Sequence, residues 1–234
     1  MFPGHVLALA AFLAIQAAPG YCFTDAEVID GFNRTVFGSE FVTAGRASRV
    51  VKKFTEPVRF YIDNRTGQAA AHRNVLSFIE SLPSQIEGLP VLIVHMPADA
   101  NFRVLILNRS DYRAVVQKEL LRRAPGDCLV RVIAGADGIA RSDAVIVTDK
   151  GNRLFRKCVV QEILQGLGPV NDDSRLTMSV FNDRTRHTNF TAFDRFILNT
   201  LYDPQIRAGM SRAEAASVLP RVVAEVRRRL ERLP

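Results

Sequence analysis

The chain has 234 residues, of which 47% are hydrophobic and 24% are charged. This length suits one domain with a sizeable core, and these proportions exclude a disordered or collagen-like chain. The 31 Lys and Arg residues outnumber the 24 Asp and Glu residues, which gives a net charge of +7 and favours anionic partners.

The first element is an expected signal peptide over residues 1–20. This segment contains no Lys, Arg, Asp or Glu, and Val6–Ala18 is apolar except for Gln16. The stretch is short for a membrane-spanning helix and is typical of a signal peptide. An uncleaved anchor remains an alternative, because His5 is the only candidate positive charge before the stretch, and so does a lipoprotein at Cys22. We expect export to the periplasm or cell envelope, which argues against a nucleic-acid partner.

Export would place the cysteines in an oxidising compartment, where disulfides form. The mature chain carries Cys22, Cys128 and Cys158, which allow three single pairings. We favour a disulfide between Cys128 and Cys158, because both lie inside the domain whereas Cys22 lies at its start. A zinc finger is disfavoured, since the chain has no CxxC spacing.

Helix and strand patterns interleave through the first part of the mature chain. A capping box of Thr24 and Glu27 marks the start of the first helix. In chain order the patterns predict a helix over residues 25–37, a strand over 54–62, a helix over 68–86, a buried strand over 90–95, a strand over 102–107 and a helix over 109–123. Pro83 interrupts the second of these helices near its end.

Helices dominate the rest of the chain. The patterns predict strands over 129–133 and 139–147, helices over 152–167 and 191–201, and a last pair of helices from Ser211 that is broken or kinked at Pro220. Together they predict a single α+β domain over residues 21–234, with a mixed β-sheet packed with helices and a helical C-terminal part.

The helix predicted over residues 152–167 carries the most informative motif, QEILQ. Zinc peptidases use HExxH on a helix, where two histidines four residues apart bind one metal and the Glu is the general base. Glu162 occupies the position of that base, and Gly168 and Asp172 occupy the turn and third-ligand positions of the extended motif. Gln161 and Gln165 occupy the positions of the two histidines.

This substitution decides the expected chemistry. A carboxamide oxygen is a poor zinc ligand, so we expect no metal, no other cofactor and no zinc-dependent peptidase activity. Glu162 remains the candidate catalytic residue for a reaction without zinc. The candidate binding residues are Gln161, Glu162, Gln165, Asn171 and Asp172. Two alternatives remain open, a weak hard-cation site formed by Gln165, Asn171, Asp172 and Asp173, and a plain amphipathic helix without a ligand.

Further motifs resemble a family of proteobacterial exported proteins classed as domain of unknown function 2927. The resemblance lies in Thr35–Gly38, Val51–Phe54, Pro57–Tyr61, Ala100–Phe102, Cys158–Glu162, Gln165, Gly168, Asn171–Asp172, Ser179–Asn182, Phe193–Asp194, Leu201–Pro204 and Gly209–Met210. It covers most of residues 24–215, with one departure at Pro169, where an aliphatic residue is expected. The resemblance implies export and an uncharacterised function, and it supplies no catalytic residue.

The order of the elements also resembles the zincin metallopeptidases. A strand and a helix come first, more strands follow, and the helix with Glu162 precedes a C-terminal helix. Met178, after Asp172, resembles the Met-turn of metzincins, although packing in the core is the better interpretation of a single Met. The resemblance implies a zincin-like fold in which both metal-binding histidines are replaced.

The chain ends in an expected basic amphipathic helix, in which apolar residues from Val222 to Leu230 form a stripe. Arg227, Arg228, Arg229 and Arg232 surround this stripe and could contact an anionic membrane surface. A solvated face of a docked helix is the ordinary alternative. Three hypotheses follow: a non-catalytic protein that binds a peptide or envelope partner, a hydrolase that uses Glu162 without zinc, and a structural protein held at the envelope by this helix.

Overall fold

A computed structural model describes residues 21–37, 50–120 and 126–232. The predicted signal peptide lies outside the described residues. The elements are α1 (Asp25–Val36), β1 (Val58–Asn64), α2 (Ala69–Gln85), β2 (Val91–Ile93), β3 (Phe102–Leu107), α3 (Arg109–Glu119), β4 (Leu129–Gly135), β5 (Gly138–Val147), α4 (Asn152–Gly166), α5 (Ala192–Tyr202) and α6 (Arg212–Leu230).

The five strands form one mixed sheet in the order β2-β1-β3-β5-β4. Strands β2, β1, β3 and β5 run parallel to one another, and β4 alone runs antiparallel, against β5. Only Ala136 and Asp137 separate β4 from β5, and so short a turn joins antiparallel strands. The parallel pairs are instead connected through helices such as α2. The predicted α+β class with a mixed sheet is therefore confirmed.

The central strand β3 is apolar from Val104 to Leu107 because both faces of the sheet are covered there. On β3, Val104 and Ile106 point into the larger core, which contains buried residues of α1, α2, α4, α5 and α6. Leu105 and Leu107 point to the opposite face, where Tyr112 of α3 covers them. The continuous apolar run VLIL, which follows Arg103, is the pattern that such a two-sided strand requires.

Strand β2 differs from the prediction of a buried strand over residues 90–95. It has three residues, lies at one edge of the sheet, and leaves 52% of Leu92 exposed. An apolar run of this length does not distinguish an edge strand from a central one, because hydrophobicity alone does not report the strand order. The opposite edge of the sheet is β4.

Helix α6 corrects the prediction of two helices separated at Pro220. It is one helix from Arg212 to Leu230 with Pro220 inside it. Leu219 and Val222, on either side of Pro220, are 1% and 0% exposed. Burial of such side chains contributes roughly 1.5–3 kcal/mol each, which offsets the cost of about 3 kcal/mol for an interior proline.

Candidate functional site

Helix α4 passes through the centre of the molecule. Every residue from Cys158 to Gly166 is buried, so the motif lies on a helix in the interior of the molecule, with 4–5% of Gln161, Glu162 and Gln165 left exposed. The Ser142 hydroxyl of β5 donates to the Gly166 carbonyl oxygen at 2.7 Å, and the Tyr202 hydroxyl of α5 donates to the Leu167 carbonyl oxygen at 2.9 Å. These bonds satisfy carbonyl groups that a helix leaves unpaired at its C-terminal end.

A cleft of about 350 Å³ lies between α4 and strand β4, and we call it the α4–β4 cleft. Helix α4 contributes Gln161, Glu162 and Gln165, and the segment after the helix contributes Asp172. Strand β4 contributes Leu129, Val130 and Val132. Four of the five predicted binding residues therefore line one cleft.

Gln161 and Asp172 are in direct contact in this cleft. The Gln161 Nε2 atom donates to both carboxylate oxygens of Asp172, each at 3.1 Å. The position of the first histidine and the position of the third ligand in the zinc motif are thus adjacent in the fold. The carboxamide has its donor nitrogen towards the carboxylate, so Gln161 and Asp172 stabilise each other by direct hydrogen bonds.

Asn171 is the one predicted binding residue that does not line the α4–β4 cleft. Its side-chain nitrogen donates to the Arg34 carbonyl oxygen at 2.9 Å, and its backbone nitrogen donates to the Thr35 carbonyl oxygen at 3.1 Å. The neighbouring Asp173 is bonded by the Arg175 and Arg34 guanidinium groups, which lower the pKa of its carboxyl group. The four residues considered for a hard cation are thus divided between the cleft and α1.

A disulfide joins the two walls of the cleft. Cys128, directly before β4, is bonded to Cys158 in the middle of α4, with the Cα atoms 6.0 Å apart. Cys22 is exposed and free. The pairing is the one favoured from the sequence, and such a bond is compatible with an oxidising compartment.

The charged residues that line the cleft are mostly acidic. Asp127 and Asp183 join Glu162 and Asp172 in the lining, while Lys157 is the single cation among the described lining residues. The Lys157 ammonium donates to the Asp183 carbonyl oxygen at 2.8 Å. This local composition contrasts with the net charge of +7 of the whole chain.

The side chains of the cleft do not fit a zinc ion. Zinc sites in proteins use His, Cys and carboxylate ligands, whereas α4 offers two carboxamides. Within residues 21–37, 50–120 and 126–232, no group of three or more His, Cys, Asp or Glu residues could hold a metal. His72, His95 and His187 are not among the residues that line the cleft.

The sequence did not identify the contribution of β4, Asp127, Lys157 and Asp183 to the cleft. One feature of the sequence, the cysteine pair, could have predicted that β4 lines the cleft. A disulfide between Cys128 and Cys158 requires the start of β4 to lie beside α4, which brings the residues next to each cysteine to the same cleft. Asp183 lies in an irregular segment, and no sequence pattern predicts that it lines the cleft.

Two arginines of the predicted membrane-facing set form ion pairs within the fold. Arg227 pairs with Asp25 of α1 and stacks over Phe196 of α5, and Arg229 pairs with Glu87 and Asp203. Arg228 and Arg232 make no side-chain hydrogen bond or ion pair with another described residue. Among those same residues, no helix is long and apolar enough to cross a membrane.

Comparison with known proteins gives one assignment. No curated protein matches the chain. Residues 25–221 match the family described as protein of unknown function DUF2927. The match begins at α1, includes the whole sheet and α4, and ends within α6. The chain therefore belongs to the DUF2927 family.

Proposed function

We propose that the chain is a non-catalytic, zincin-like protein of the periplasm or cell envelope that binds a peptide in the α4–β4 cleft. One observation carries this proposal. The two walls of the cleft are the helix with the QEILQ motif and a strand at the edge of the sheet. The contact between Gln161 and Asp172 supports the zincin-like part, because the spacing of the motif predicts that these positions meet.

Strand β4 supports a peptide as the ligand. It is an edge strand whose inner side pairs with β5, and no other strand of the described residues pairs with its outer side. An exposed strand edge offers unpaired backbone N–H and C=O groups, which an extended peptide can pair with as an added strand. Gln161, Gln165 and the acidic groups beside β4 would then contact the side chains of that peptide.

The replacement of both histidines supports binding without hydrolysis. A catalytic Glu in a zinc peptidase acts on a metal-bound water, and the donor atoms of the cleft do not fit zinc. Glu162 then has no activated water to deprotonate.

Hydrolysis by Glu162 without zinc is the second candidate function. It is favoured by one observation, which is that Glu162 and Asp172 line the same cleft. Two carboxyl groups in one cleft can divide the roles of general acid and general base. In this reaction Glu162 would be the essential group.

Hydrogen exchange with a pool of random heptapeptides tests peptide binding. We expect the pool to slow the exchange of those backbone amides between Val130 and Ile133 that point away from β5, because an added strand pairs with them while the alternate amides already pair with β5. Strand β2 is the matched control, since it is an edge strand at the opposite side of the sheet and should remain unchanged. Exchange in β4 that no peptide slows would contradict the proposal.

Mass spectrometry of the recovered peptides separates binding from hydrolysis. We expect the peptides to remain intact with the natural chain and with Glu162→Gln. Cleavage that disappears in Glu162→Gln would instead establish the second candidate.

A further inference from the structure

A second concave surface lies on the other side of α4. We call it the α2–α4 groove. It lies between α2, the start of α4 and the segment from Thr188 to Phe190, and it encloses about 790 Å³. The groove is larger than the α4–β4 cleft and shares no lining residue with it.

Six of the polar side chains that line the groove have no hydrogen-bond or ion-pair partner among the described residues, whereas Ser81 and Gln85 in the same lining do. The six are Asn74, Ser77, Asn152, Arg156, Thr188 and Asn189. None of these side chains makes a hydrogen bond or ion pair with another residue among those the structure describes. Their donors and acceptors are therefore free to bind a ligand.

The groove also has an aromatic component. Phe78 and Phe190 are partly buried and pack against the main core, and Phe155 is 6% exposed. All three rings belong to the lining of the groove. Carboxylates are absent from the lining as far as the described residues extend, and Arg156 is the one charged side chain there.

We infer that the α2–α4 groove binds an oligosaccharide, with a carboxylate of the sugar next to Arg156. Sugar hydroxyls both donate and accept hydrogen bonds, and Asn side chains offer a donor and an acceptor in one amide. The C–H faces of sugar rings are apolar and suit contact with Phe rings. A guanidinium group without a carboxylate partner favours an anionic sugar over a neutral one.

The other classes of ligand fit the groove less well. An extended peptide would need a strand edge for its backbone, and the groove is lined by two helices and an irregular segment. An amphipathic helix would need a continuous apolar surface, and the amides and hydroxyls interrupt it. The oligosaccharide site does not depend on peptide binding in the α4–β4 cleft.

Calorimetric titration with two tetrasaccharides tests the inference. One is an alternating tetrasaccharide of glucuronic acid and N-acetylglucosamine, and the other is the neutral tetramer of N-acetylglucosamine. We expect the natural chain to bind the acidic tetrasaccharide more tightly than the neutral one. Arg156→Gln should weaken binding of the acidic tetrasaccharide about tenfold and leave the neutral one unchanged, since the variant removes only the ionic hydrogen bond to the sugar carboxylate.

Matched variants identify the binding surface. Arg153→Gln removes an exposed charge on the same turn of α4 outside the groove and should leave both affinities unchanged. The double variant Asn74→Ala with Asn189→Ala should weaken both sugars about tenfold, and both residues are exposed, so folding is retained. Glu162→Gln, in the cleft, should change neither affinity.

Three results would overturn the inference. The first is that neither tetrasaccharide binds at millimolar concentration. The second is that binding survives the double variant at Asn74 and Asn189. The third is that the neutral tetramer binds the natural chain as tightly as the acidic one, which would remove the role given to Arg156.

Discussion

Gly168 determines how the chain leaves α4 and returns towards Asp172. Its φ angle is +141°, and a Cβ atom at this position would lie 2.3 Å from the Lys52 carbonyl oxygen and 2.7 Å from the Leu201 side chain. The glycine is therefore required by the fold at the position that the zinc motif assigns to a turn. The same close approach places the segment of Lys52 and Lys53 against the end of the helix.

Gly168→Ala should lower the free energy of unfolding by roughly 2–4 kcal/mol, because it adds both backbone strain and a clash with a main-chain atom. Urea denaturation measures this change. Gly67→Ala is the control, since Gly67 has a φ of +70° and nothing within 4 Å of its Cβ position. That variant should lose only about 1 kcal/mol, the cost of the backbone conformation. Equal losses in the two variants would contradict the close approach.

Zinc affinity should follow the identity of two residues. In the double variant Gln161→His with Gln165→His, two imidazoles four residues apart on a helix would join Asp172, which already contacts position 161. We expect this variant to retain about one zinc per chain after dialysis, measured by elemental analysis, and the natural chain to retain far less. Gln161→His with Gln165→Ala is the control and should retain little. Stoichiometric zinc in the natural chain would refute the explanation based on the missing histidines.

Lys53 is a second residue with a consequence that can be measured. Its ammonium group donates to the carbonyl oxygens of Leu201 and Asp203, at 3.0 and 3.2 Å. Burial lowers its pKa from the ordinary value of 10.5 to about 8, and the charge of Asp203 partly opposes this shift. Between these two pH values the unfolded chain binds a proton that the folded chain has released, so stability from this group rises with pH.

From pH 7 to pH 9.5, we expect the free energy of unfolding of the natural chain to rise relative to that of Lys53→Met. Urea denaturation at intervals of one pH unit measures this difference. Lys118→Met, at an exposed position on α3, should show no such trend. Parallel profiles for the natural chain and Lys53→Met would contradict a lowered pKa.

At the scale of elements, the disulfide connects the two walls of the α4–β4 cleft. Cys128 and Cys158 are 30 residues apart in the sequence, and their bond restricts the unfolded chain. Replacing both by Ala should cost roughly 2–4 kcal/mol of stability. Cys22→Ala, at an exposed and free cysteine, should be neutral in the same denaturation experiment. A neutral effect of the double variant would show that the bond contributes no stability.

The elements differ in how well the sequence predicts them. Helices α1 and α5 begin directly after their capping residues, Thr24 and Thr191. Such a helix start can be read from the sequence, because a capping box involves only residues within four positions of each other. The exposure of β2 and the continuity of α6 through Pro220 depend on distant neighbours, and local patterns do not report these. The candidate site divides in the same way. The spacing on α4 predicts Gln161, Glu162 and Gln165 in one cleft, whereas only the fold shows that Asn171 turns to α1.

At the scale of the whole molecule, the chain has a net charge of +7, and some of its arginines form ion pairs inside the fold. Arg227 and Arg229 hold α6 to α1 and to the residues around Asp203, through ion pairs with Asp25, Glu87 and Asp203. The apolar stripe of α6 is buried by the same contacts, since Val222 and Val226 are fully buried. The helix is therefore unable to insert that stripe into a lipid surface while it remains docked. Any contact with a membrane depends on charge.

The arginines of α6 should consequently separate into two groups. Arg227→Gln should lower the free energy of unfolding by about 1–2 kcal/mol, since it removes a partly buried ion pair and the hydrogen bond to the Phe23 carbonyl oxygen. The double variant Arg228→Gln with Arg232→Gln should retain stability within about 0.5 kcal/mol, because both residues are exposed. It should weaken binding to vesicles that contain anionic lipid at least tenfold, at about 1 kcal/mol per arginine. Sedimentation with anionic and neutral vesicles measures this effect, and equal sedimentation of the natural chain and the double variant would exclude α6 as a membrane contact.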